Sequence, residues 1–392
     1  MNVPKLRFKE FNDEWNYIKL GDYCSLITKG TTPNKFSSNG INFIKIESLS
    51  NYSINNDLCL CVDEKIHNTT LKRSILEEKD VLFAIAGATI GKCGIVEKNN
   101  LPANTNQALA ILRVKQELLN PYFLLNILDS RVMKKYIFLN ISIGAQPNLN
   151  LEQINNFKFN IPTKIEQDKI MKIINLINQK IELQAKKIED LKLFKKGLFT
   201  MQIKKNATKK ISLNDILTEI NVKSTINNEY EIISSTSNGL YLQKEYFNKQ
   251  AASENNIGYK ILKKNQLVLS PQNLWLGNIN INFKYDIGIV SPSYKIFEID
   301  QNLMNISFFD FWIKTPRALY DYMISSEQGA SVVRRNLNME LFYEIIINMP
   351  DFEIQNTIGN NLIKFNEKIN LEENKLIKLQ KLKKGLMQNL FI

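Results

Sequence analysis

The chain of 392 residues is poor in histidine, poor in cysteine and lacks long apolar runs. No stretch approaches the roughly eighteen consecutive apolar residues of a membrane-spanning helix. The first ten residues carry three cations and lack the apolar segment that a signal peptide needs. We therefore expect a cytoplasmic protein that does not contact the membrane.

The four cysteines, Cys24, Cys59, Cys61 and Cys93, lie in the first quarter of the chain and are not spaced as a disulfide framework. Reduced thiols are therefore expected. Cys59 and Cys61 precede His67, the only histidine, which suggests a metal site. Structural zinc, however, takes four ligands at paired spacing. We expect no metal, and a zinc assay would decide the matter.

Nucleotide sites and catalytic sets are also missing from the sequence. Gly87 and Gly91 lie one residue too close for a phosphate-binding Walker loop, and Cys93 follows Lys92 where a hydroxyl residue is required. The glycine spacing does not fit a dinucleotide fingerprint. No second histidine, recurring carboxylate pair or aromatic Pro-Pro motif of an amino-methyltransferase is present. The sequence predicts a chain without catalytic residues or a cofactor of its own.

Positive charge is abundant but unevenly placed. The formal net charge is +12, and residues 157–205 hold 12 Lys and Arg against 5 Asp and Glu. Residues 206–345 hold 14 of each sign. A strongly basic chain favours a polyanionic partner such as nucleic acid. The excess lies near a helical segment and not in the segments that we expect to read bases.

An internal repeat organises the chain. Residues 157–204 align without gaps to residues 345–392 with 14 identities, at an offset of 188. Shared features include Pro162 and Pro350, Gln167 and Gln355, and a Lys-Lys-Gly-Leu sequence near each end. Matching edges surround a divergent middle in each copy. The repeat therefore predicts one frame that holds two different functional segments.

Each copy ends in an apolar heptad pattern that predicts a long helix, and the two helices are expected to pair as an antiparallel coiled coil within one chain. Gln184 and Glu372 occupy equivalent polar positions in the two patterns. A coiled coil that holds a homodimer is the alternative. The residues expected to pair the helices are Ile174, Ile181, Ile188 and Leu191 of the first and Leu362, Ile369, Leu376 and Leu379 of the second.

The divergent middles read as short strands separated by polar loops, each followed by a helix. Strands are predicted at residues 43–46, 81–85, 94–96 and 108–114, and in the second copy at 230–233, 266–269, 279–283 and 293–299. Helices are predicted at 122–138 and 306–323. The predicted fold class is α+β, with domains at 1–156 and 206–345 and helices at 157–205 and 346–392.

The loops carry side chains that hydrogen-bond base edges and phosphates. Arg334 and Arg335 are the strongest candidates because they are adjacent cations in an otherwise uncharged stretch beside a glycine. The candidate DNA-binding residues are Lys29, Thr31, Thr32, Thr89, Lys92, Gln146 and Asn148 in the first copy, and Gln272, Asn273, Gln328, Ser331, Arg334, Arg335 and Asn336 in the second.

Several of these sequences resemble a known family. They are a Leu-Gly-Asp opening at 20–22, a Gly-x-Thr-Pro loop at 30–33, Ala-Thr-Ile-Gly at 88–91, Asn-Gln-Ala at 106–108, and Ile-Pro then Glu-Gln before the first long helix. Together they resemble the specificity subunits of type I restriction-modification systems. In the second copy, Asn214 replaces the usual glycine and Ile354 the usual glutamate, which weakens the motif.

The resemblance implies a noncatalytic protein with two target recognition domains, each reading half of a split, asymmetric site in double-stranded DNA. The paired helices would set the gap and dock two methyltransferase subunits, which recruit restriction and translocase subunits. S-adenosylmethionine, ATP and Mg would then bind those partners, and the partners could supply phosphate contacts. The alternative is a standalone DNA-binding or antirestriction protein.

Overall fold

The computed structural model describes residues 3–141, 147–246, 255–328 and 335–391. The chain divides into two compact units. Unit 1 comprises Met1–Gln184 with Leu376–Ile392, and unit 2 comprises Ala185–Lys375. Unit 2 is thus continuous in sequence, whereas unit 1 takes its last segment from the other end of the chain.

A four-stranded antiparallel sheet forms the centre of unit 1. Its strand order is Cys24–Lys29, Leu109–Val114, Val81–Ala84 and Cys93–Ile95. The strand Val81–Ala84 is buried along its whole length, as its continuous apolar sequence requires. The helix Pro121–Leu128 covers one face of this sheet, and its Phe123, Leu124 and Ile127 side chains are buried there.

Smaller sheets and short helices surround the central sheet of unit 1. Asn16–Lys19 pairs with Lys158–Ile161, Ile41–Ile44 lies between Leu60–Val62 and Ala103–Thr105, and Leu49–Ser50 pairs with Ser53–Ile54. The α-helices are Glu64–Asn68, Pro121–Leu128, Arg131–Asn140 and Leu151–Asn155, and 3-10 turns occur at Leu20–Tyr23, Ile46–Ser48, Asn56–Leu58, Lys72–Ser74 and Lys98–Asn100.

Unit 2 repeats this plan. Its central sheet has the order Leu217–Ile220, Lys295–Ile299, Leu267–Leu269 and Ile279–Ile281. The flanking pairs are Lys209–Ser212 with Ile346–Met349, Ile233–Thr236 with Gly239–Leu242, Lys260–Lys263 with Ile287–Val290, and Ser326–Gln328 with Arg335–Leu337. The helices are Leu213–Ile216, Gln243–Tyr246, Ile306–Trp312, Pro316–Ile324 and Met339–Tyr343, with a 3-10 turn at Leu274–Leu276.

The two long helices run from Lys164 to Asn206 and from Phe352 to Leu390. Within unit 2 they are antiparallel, because Lys187 pairs with Glu372 at 3.1 Å and Lys195 donates to Asn366 at 2.8 Å. The predicted fold class is confirmed. No helix in the described ranges is both long and apolar enough to cross a membrane.

The predicted seam residues lie on the less exposed side of these helices. In the first long helix, Ile174 and Ile188 are buried, while Ile181 and Leu191 are half-buried. In the second, Leu362 and Ile369 are buried, and Leu376 and Leu379 are half-buried. Glu372 is 6 % exposed and its carboxylate binds both Lys187 and Lys375. Charge pairing thus allows a carboxylate within the seam.

Three of the sequence predictions about secondary structure are wrong. The predicted helices at 122–138 and 306–323 are each a pair of helices, because Ser130 and Thr315 have extended backbones that start a second helix. Pro316, which suits a first helical position, follows Thr315. The strand predicted at 230–233 lies instead at Ile233–Thr236.

The repeated glutamine explains why each long helix begins where it does. Gln167 Oε1 accepts from the backbone N–H of Asn120 at 2.9 Å, and its amide donates to the Pro162 carbonyl at 3.0 Å. Gln355 makes the same two contacts with Asn305 and Pro350, both at 3.0 Å. Each glutamine is itself buried and therefore fixes a long helix to its domain.

The first copy has Glu166 where the second has Ile354, and this difference has a structural cause. Glu166 is fully buried and accepts two hydrogen bonds of 2.8 Å from the Arg7 guanidinium. This bond holds the pKa of Arg7 above its usual value. Ile354 occupies the equivalent place in unit 2 and packs against the apolar core there. A buried glutamate is used in the copy that has an arginine to pair with it.

Candidate nucleic-acid interface

Four segments of unit 1 meet at one end of its central sheet. The Gly30 and Thr31 amides donate to Leu109 and Thr105, at 3.3 and 3.1 Å. The Ile85 amide donates to Ala108, and the Leu149 amide donates to Ile85, both at 2.9 Å. We call residues 29–33, 85–92, 106–108 and 147–149 the first loop surface. Sequence motifs that are far apart in the chain are therefore neighbours.

Most of the candidate residues in the first copy lie on this surface. Lys29, Thr32, Thr89 and Asn148 are exposed. Thr31 is half-buried and its hydroxyl accepts from the Arg73 guanidinium at 3.1 Å. These groups present donors and acceptors in one place, as a surface that reads nucleic acid must. Gln146 lies outside the described residues.

Lys92 differs from its neighbours because its ammonium group is already used. It is half-buried, and its Nζ atom donates to the Ile46 carbonyl oxygen at 2.9 Å. That carbonyl belongs to a 3-10 turn of unit 1. The contact fixes the loop 85–92 against the neighbouring segment, which gives Lys92 a structural role in addition to the role predicted for it.

Gly30 is required by close packing within the first loop surface. A Cβ atom at Gly30 would clash with the carbonyl oxygens of Thr105 and Asn106. Backbone oxygens cannot move aside as a flexible side chain can. We expect Gly30→Ala to lower the free energy of unfolding by about 1–3 kcal/mol, the usual cost of overpacking. Urea denaturation would measure the change.

Gly385 supplies the matched control within the same unit. It lies inside the second long helix, and a Cβ atom there would meet nothing within 4 Å. Gly385→Ala should therefore stabilise the protein by up to about 1 kcal/mol through its higher helix propensity. Equal destabilisation by both alanines would contradict the packing argument for Gly30.

The second loop surface lies at the corresponding end of the sheet in unit 2. It consists of residues 270–278 with the hairpin strands Ser326–Gln328 and Arg335–Leu337. The Arg335 amide donates to the Gln272 carbonyl at 3.3 Å, which joins the two segments. Asn273 is half-buried and Asn336 is exposed on this surface.

Arg335 has a defined position on the second loop surface. Its guanidinium carbon lies 4.7 Å from the centroid of the Trp275 ring, and its Nη1 atom donates to the Met323 carbonyl at 3.4 Å. Stacking on an aromatic ring restricts an arginine without neutralising it. Ser331, Arg334 and the side chain of Gln328 lie outside the described residues.

The repeated Asn-Leu-Asn sequence separates into structural and exposed positions. Leu149 is fully buried, and Asn150 caps a short helix by accepting from the Gln153 amide at 2.8 Å. Asn338 caps the equivalent helix of unit 2. The first asparagine of each sequence, Asn148 or Asn336, is exposed. Capping explains why the motif recurs, and its first residue remains accessible from solvent.

Sequence reasoning missed several residues of these surfaces. Arg73 and Trp275 lie outside the motifs, so no pattern marked them, although Arg73 bonds Thr31 and Arg335 stacks on Trp275. Gln107 lies within the Asn-Gln-Ala motif, but its hydrogen bond with Thr32 was not predicted. Exposed apolar pairs also lie at the ends of the helices Arg131–Asn140 and Pro316–Ile324. They are Phe138 and Leu139, 81 % and 67 % exposed, and Met323 and Ile324, 40 % and 56 % exposed.

The cysteines and the histidine have structural contacts. His67 is buried, and its Nδ1 atom lies 2.6 Å from the Asn104 side-chain oxygen. Burial raises the pKa of Cys24 and of Cys93 to about 12, so both thiols are protonated at neutral pH. Within the described ranges, no group of three His, Cys, Asp or Glu side chains is arranged to hold a metal ion.

The first half of the chain matches a known protein family. Residues 12–193 match the family described as type I restriction modification DNA specificity domain. The matched segment contains the first loop surface and the start of the first long helix. The resemblance inferred from the motifs is confirmed.

Curated relatives carry the same description. The chain is 30 % identical over 213 residues to the MjaX type I restriction enzyme specificity subunit of Methanocaldococcus jannaschii, covering 50 % of this chain and 49 % of that protein. It is 23 % identical over 204 residues to the MjaVIII specificity subunit of the same organism, covering 51 % and 48 %. The chain therefore matches about half the length of these relatives.

Solved structures show that the resemblance in fold extends beyond the matched specificity domain. The crystal structure of a type I restriction-modification S subunit from M. genitalium superposes with a TM-score of 0.56 at 15 % identity, covering 100 % of this chain and 99 % of that one. A chain from a study of the assembly of the type I restriction-modification system gives a TM-score of 0.57 at 12 % identity, covering 96 % and 97 %. At these low sequence identities the superpositions show similarity of fold alone.

Proposed function

We propose that the chain is the noncatalytic DNA sequence-recognition subunit of a type I restriction-modification complex. One observation carries the proposal: the two units repeat the same sheet and helices, whereas their loop surfaces present different side chains. Residues 1–156 and 206–345 are the target recognition domains, and residues 157–205 and 346–392 are the helices that separate them. The two recognition domains share one repeated fold but present different side chains, so together they recognise a split and asymmetric DNA site.

The chemistry of the loop surfaces suits contact with double-stranded DNA. Arg335, which stacks on Trp275 and remains charged, can donate two hydrogen bonds to guanine O6 and N7. Exposed asparagines such as Asn148 and Asn336 are suited to adenine. Lys29 and Arg73 supply cations for phosphates. The exposed apolar pair at Phe138 and Leu139 can contact thymine methyl groups.

We expect Arg335→Ala to relax the specificity of the complex at one position of one half-site. The loss of discrimination should be about 1–3 kcal/mol, the range for a good base contact. Sequencing of methylated adenines in cells that carry the variant would measure it. Arg317→Ala is the control, because Arg317 is a highly exposed arginine of the same unit that pairs with Asp321. Relaxation by both variants would contradict the assignment.

The partners that we propose are two methyltransferase subunits, together with restriction and translocase subunits. S-adenosylmethionine, ATP and Mg would bind to those subunits. Repeated exposed positions on the long helices support the docking of one partner twice. Leu183 and Leu371 are 68 % and 62 % exposed, and Phe194 and Leu382 are 59 % and 52 % exposed. Each pair is related by the repeat offset, so each helix offers an equivalent apolar contact.

Exchange of a whole recognition domain tests the proposed function. Residues 211–345 are replaced with the corresponding domain of a relative, and methylated adenines are mapped in the host genome with and without the gene. A change confined to one half-site is expected, because each domain has its own core. Loss of both half-sites would contradict the modular proposal, and a chain that never copurifies with a methyltransferase would contradict the proposed partners.

A further inference from the structure

Unit 1 contains a basic cavity that DNA reading by the loop surfaces does not use. It lies between the start of the helix Arg131–Asn140 and the end of the second long helix, and its volume is about 680 Å³. Apolar parts of its wall come from Val132, Met387 and Phe391. Five cationic side chains line it against the single carboxylate of Asp129: Lys5, Arg131, Lys134, Lys383 and Lys384.

The carboxylate does not neutralise the cavity. Asp129 already binds the Lys134 ammonium at 2.9 Å and accepts from the Tyr52 hydroxyl. The other four cations, Lys5, Arg131, Lys383 and Lys384, form no ion pair with any residue in the described parts of the chain. Like charges gathered around one cavity repel each other unless an anion lies between them. The cavity is therefore electrostatically prepared for an anion.

The start of the helix Arg131–Asn140 adds a second and independent observation. Ser130 occupies the capping position, yet its side chain makes no capping hydrogen bond. Its hydroxyl oxygen is buried and has no hydrogen-bond partner among the described residues. The first turn carries Arg131 and no acidic residue, although the positive end of a helix dipole favours negative charge. A bound anion would satisfy both the hydroxyl and the free amides.

The equivalent place in unit 2 lacks these features and so serves as an internal comparison. Thr315 caps its helix by accepting from the Ala318 amide at 3.3 Å. Pro316 occupies the position that Arg131 has in unit 1 and offers no N–H. The cavity there is about 420 Å³, and Lys195 in its wall donates to Asn366. Both copies retain the lysine pair, but unit 1 alone of the two leaves its helix start uncapped.

We propose that the cavity of unit 1 binds a phosphate group, held by the Ser130 hydroxyl, the first amides of the helix Arg131–Asn140, and the Arg131, Lys383 and Lys384 side chains. The phosphate belongs either to a small phosphorylated molecule or to a nucleic-acid strand. A volume near 680 Å³ and a partly apolar wall accommodate a ligand of nucleotide size. The site shares no residue with the first loop surface, and its ligand does not depend on base reading.

Three probes distinguish the sources of the phosphate. Pyrophosphate, ATP and a DNA duplex of about 20 base pairs without the recognition sequence are titrated into the full chain by calorimetry at low salt. The variants are Ser130→Ala, Arg131→Gln and Lys384→Gln. Lys196→Gln is the matched control, because Lys196 is the repeat equivalent of Lys384. Circular dichroism and thermal unfolding confirm that each variant is folded.

We expect Arg131→Gln to weaken at least one probe about tenfold or more, as the loss of a charged hydrogen bond does. Ser130→Ala should weaken the same probe less, and Lys196→Gln should leave it unchanged. Weakened ATP or pyrophosphate identifies a small ligand, whereas weakened duplex alone, with a smaller salt dependence, identifies a nucleic-acid backbone. If none of the probes is weakened by Arg131→Gln in folded protein, or if Lys196→Gln weakens it equally, the proposal is wrong.

Discussion

Replacing Arg7 by methionine should lower the free energy of unfolding of unit 1 by about 3–5 kcal/mol, the usual cost of leaving a buried charge without its partner. Glu166 is fully buried, and both of its carboxylate oxygens accept hydrogen bonds of 2.8 Å from Arg7. The variant removes both donors and keeps the carboxylate. Differential scanning calorimetry would show a lower melting temperature for unit 1.

The second copy indicates how to rescue this variant. Ile354 stands at the position of Glu166 and packs against the core of unit 2. Combining Arg7→Met with Glu166→Ile should therefore recover most of the lost stability, because apolar residues can replace a buried ion pair at little cost. A double variant as unstable as Arg7→Met alone would show that the arginine acts through packing and not through its charge.

Gln355→Leu should lower the free energy of unfolding of unit 2 by about 2–4 kcal/mol. The leucine has nearly the same size but leaves the Asn305 amide and the Pro350 carbonyl without the partners they have at 3.0 Å. The Gln355 side chain itself is buried, so water has little access to the groups that lose their partners. Chemical denaturation followed by tryptophan fluorescence would report the change, since Trp312 is buried in unit 2.

Gln167→Leu provides the matched experiment in unit 1. Its glutamine makes equivalent bonds to Asn120 and Pro162, so a loss of similar size is expected there. Thr357→Ala is a control on the same turn as Gln355, because Thr357 is exposed and its hydroxyl donates to the Glu353 carbonyl of its own helix. Equal losses from the leucine variants and this alanine variant would contradict the bridging role of the glutamines.

The sequence predicts the elements whose residues are periodic or repeated. The long helices follow from their heptads, and the glutamines follow from the repeat, although their contacts with Asn120 and Asn305 required the structure. The break near Ser130 was missed because its flanking segments are both helical in pattern. Ser130 makes no capping hydrogen bond, so no capping pattern in the sequence marks the start of the helix Arg131–Asn140.

The sequence motifs indicate which loops form the candidate surfaces, but they do not predict the contacts between side chains on those surfaces. Loop motifs with unusual glycines, such as Gly30, point to close packing and hence to a shared place in the fold. The support of Arg335 by Trp275 could not be predicted, because their contact depends on how a turn meets a hairpin. Long-range contacts between irregular segments leave no periodic signal in one sequence.

The completion of the unit 1 core by the end of the chain has a consequence for biosynthesis. Leu390 is 3 % exposed within that core, and the Leu6 amide donates to the Asn389 carbonyl at 2.9 Å. Domains usually fold as they leave the ribosome, beginning with the first. Unit 2 is continuous in sequence and can finish folding before residues 376–392, which complete the core of unit 1, leave the ribosome. Translation therefore begins with unit 1, but unit 1 is the last of the two units to complete its folding.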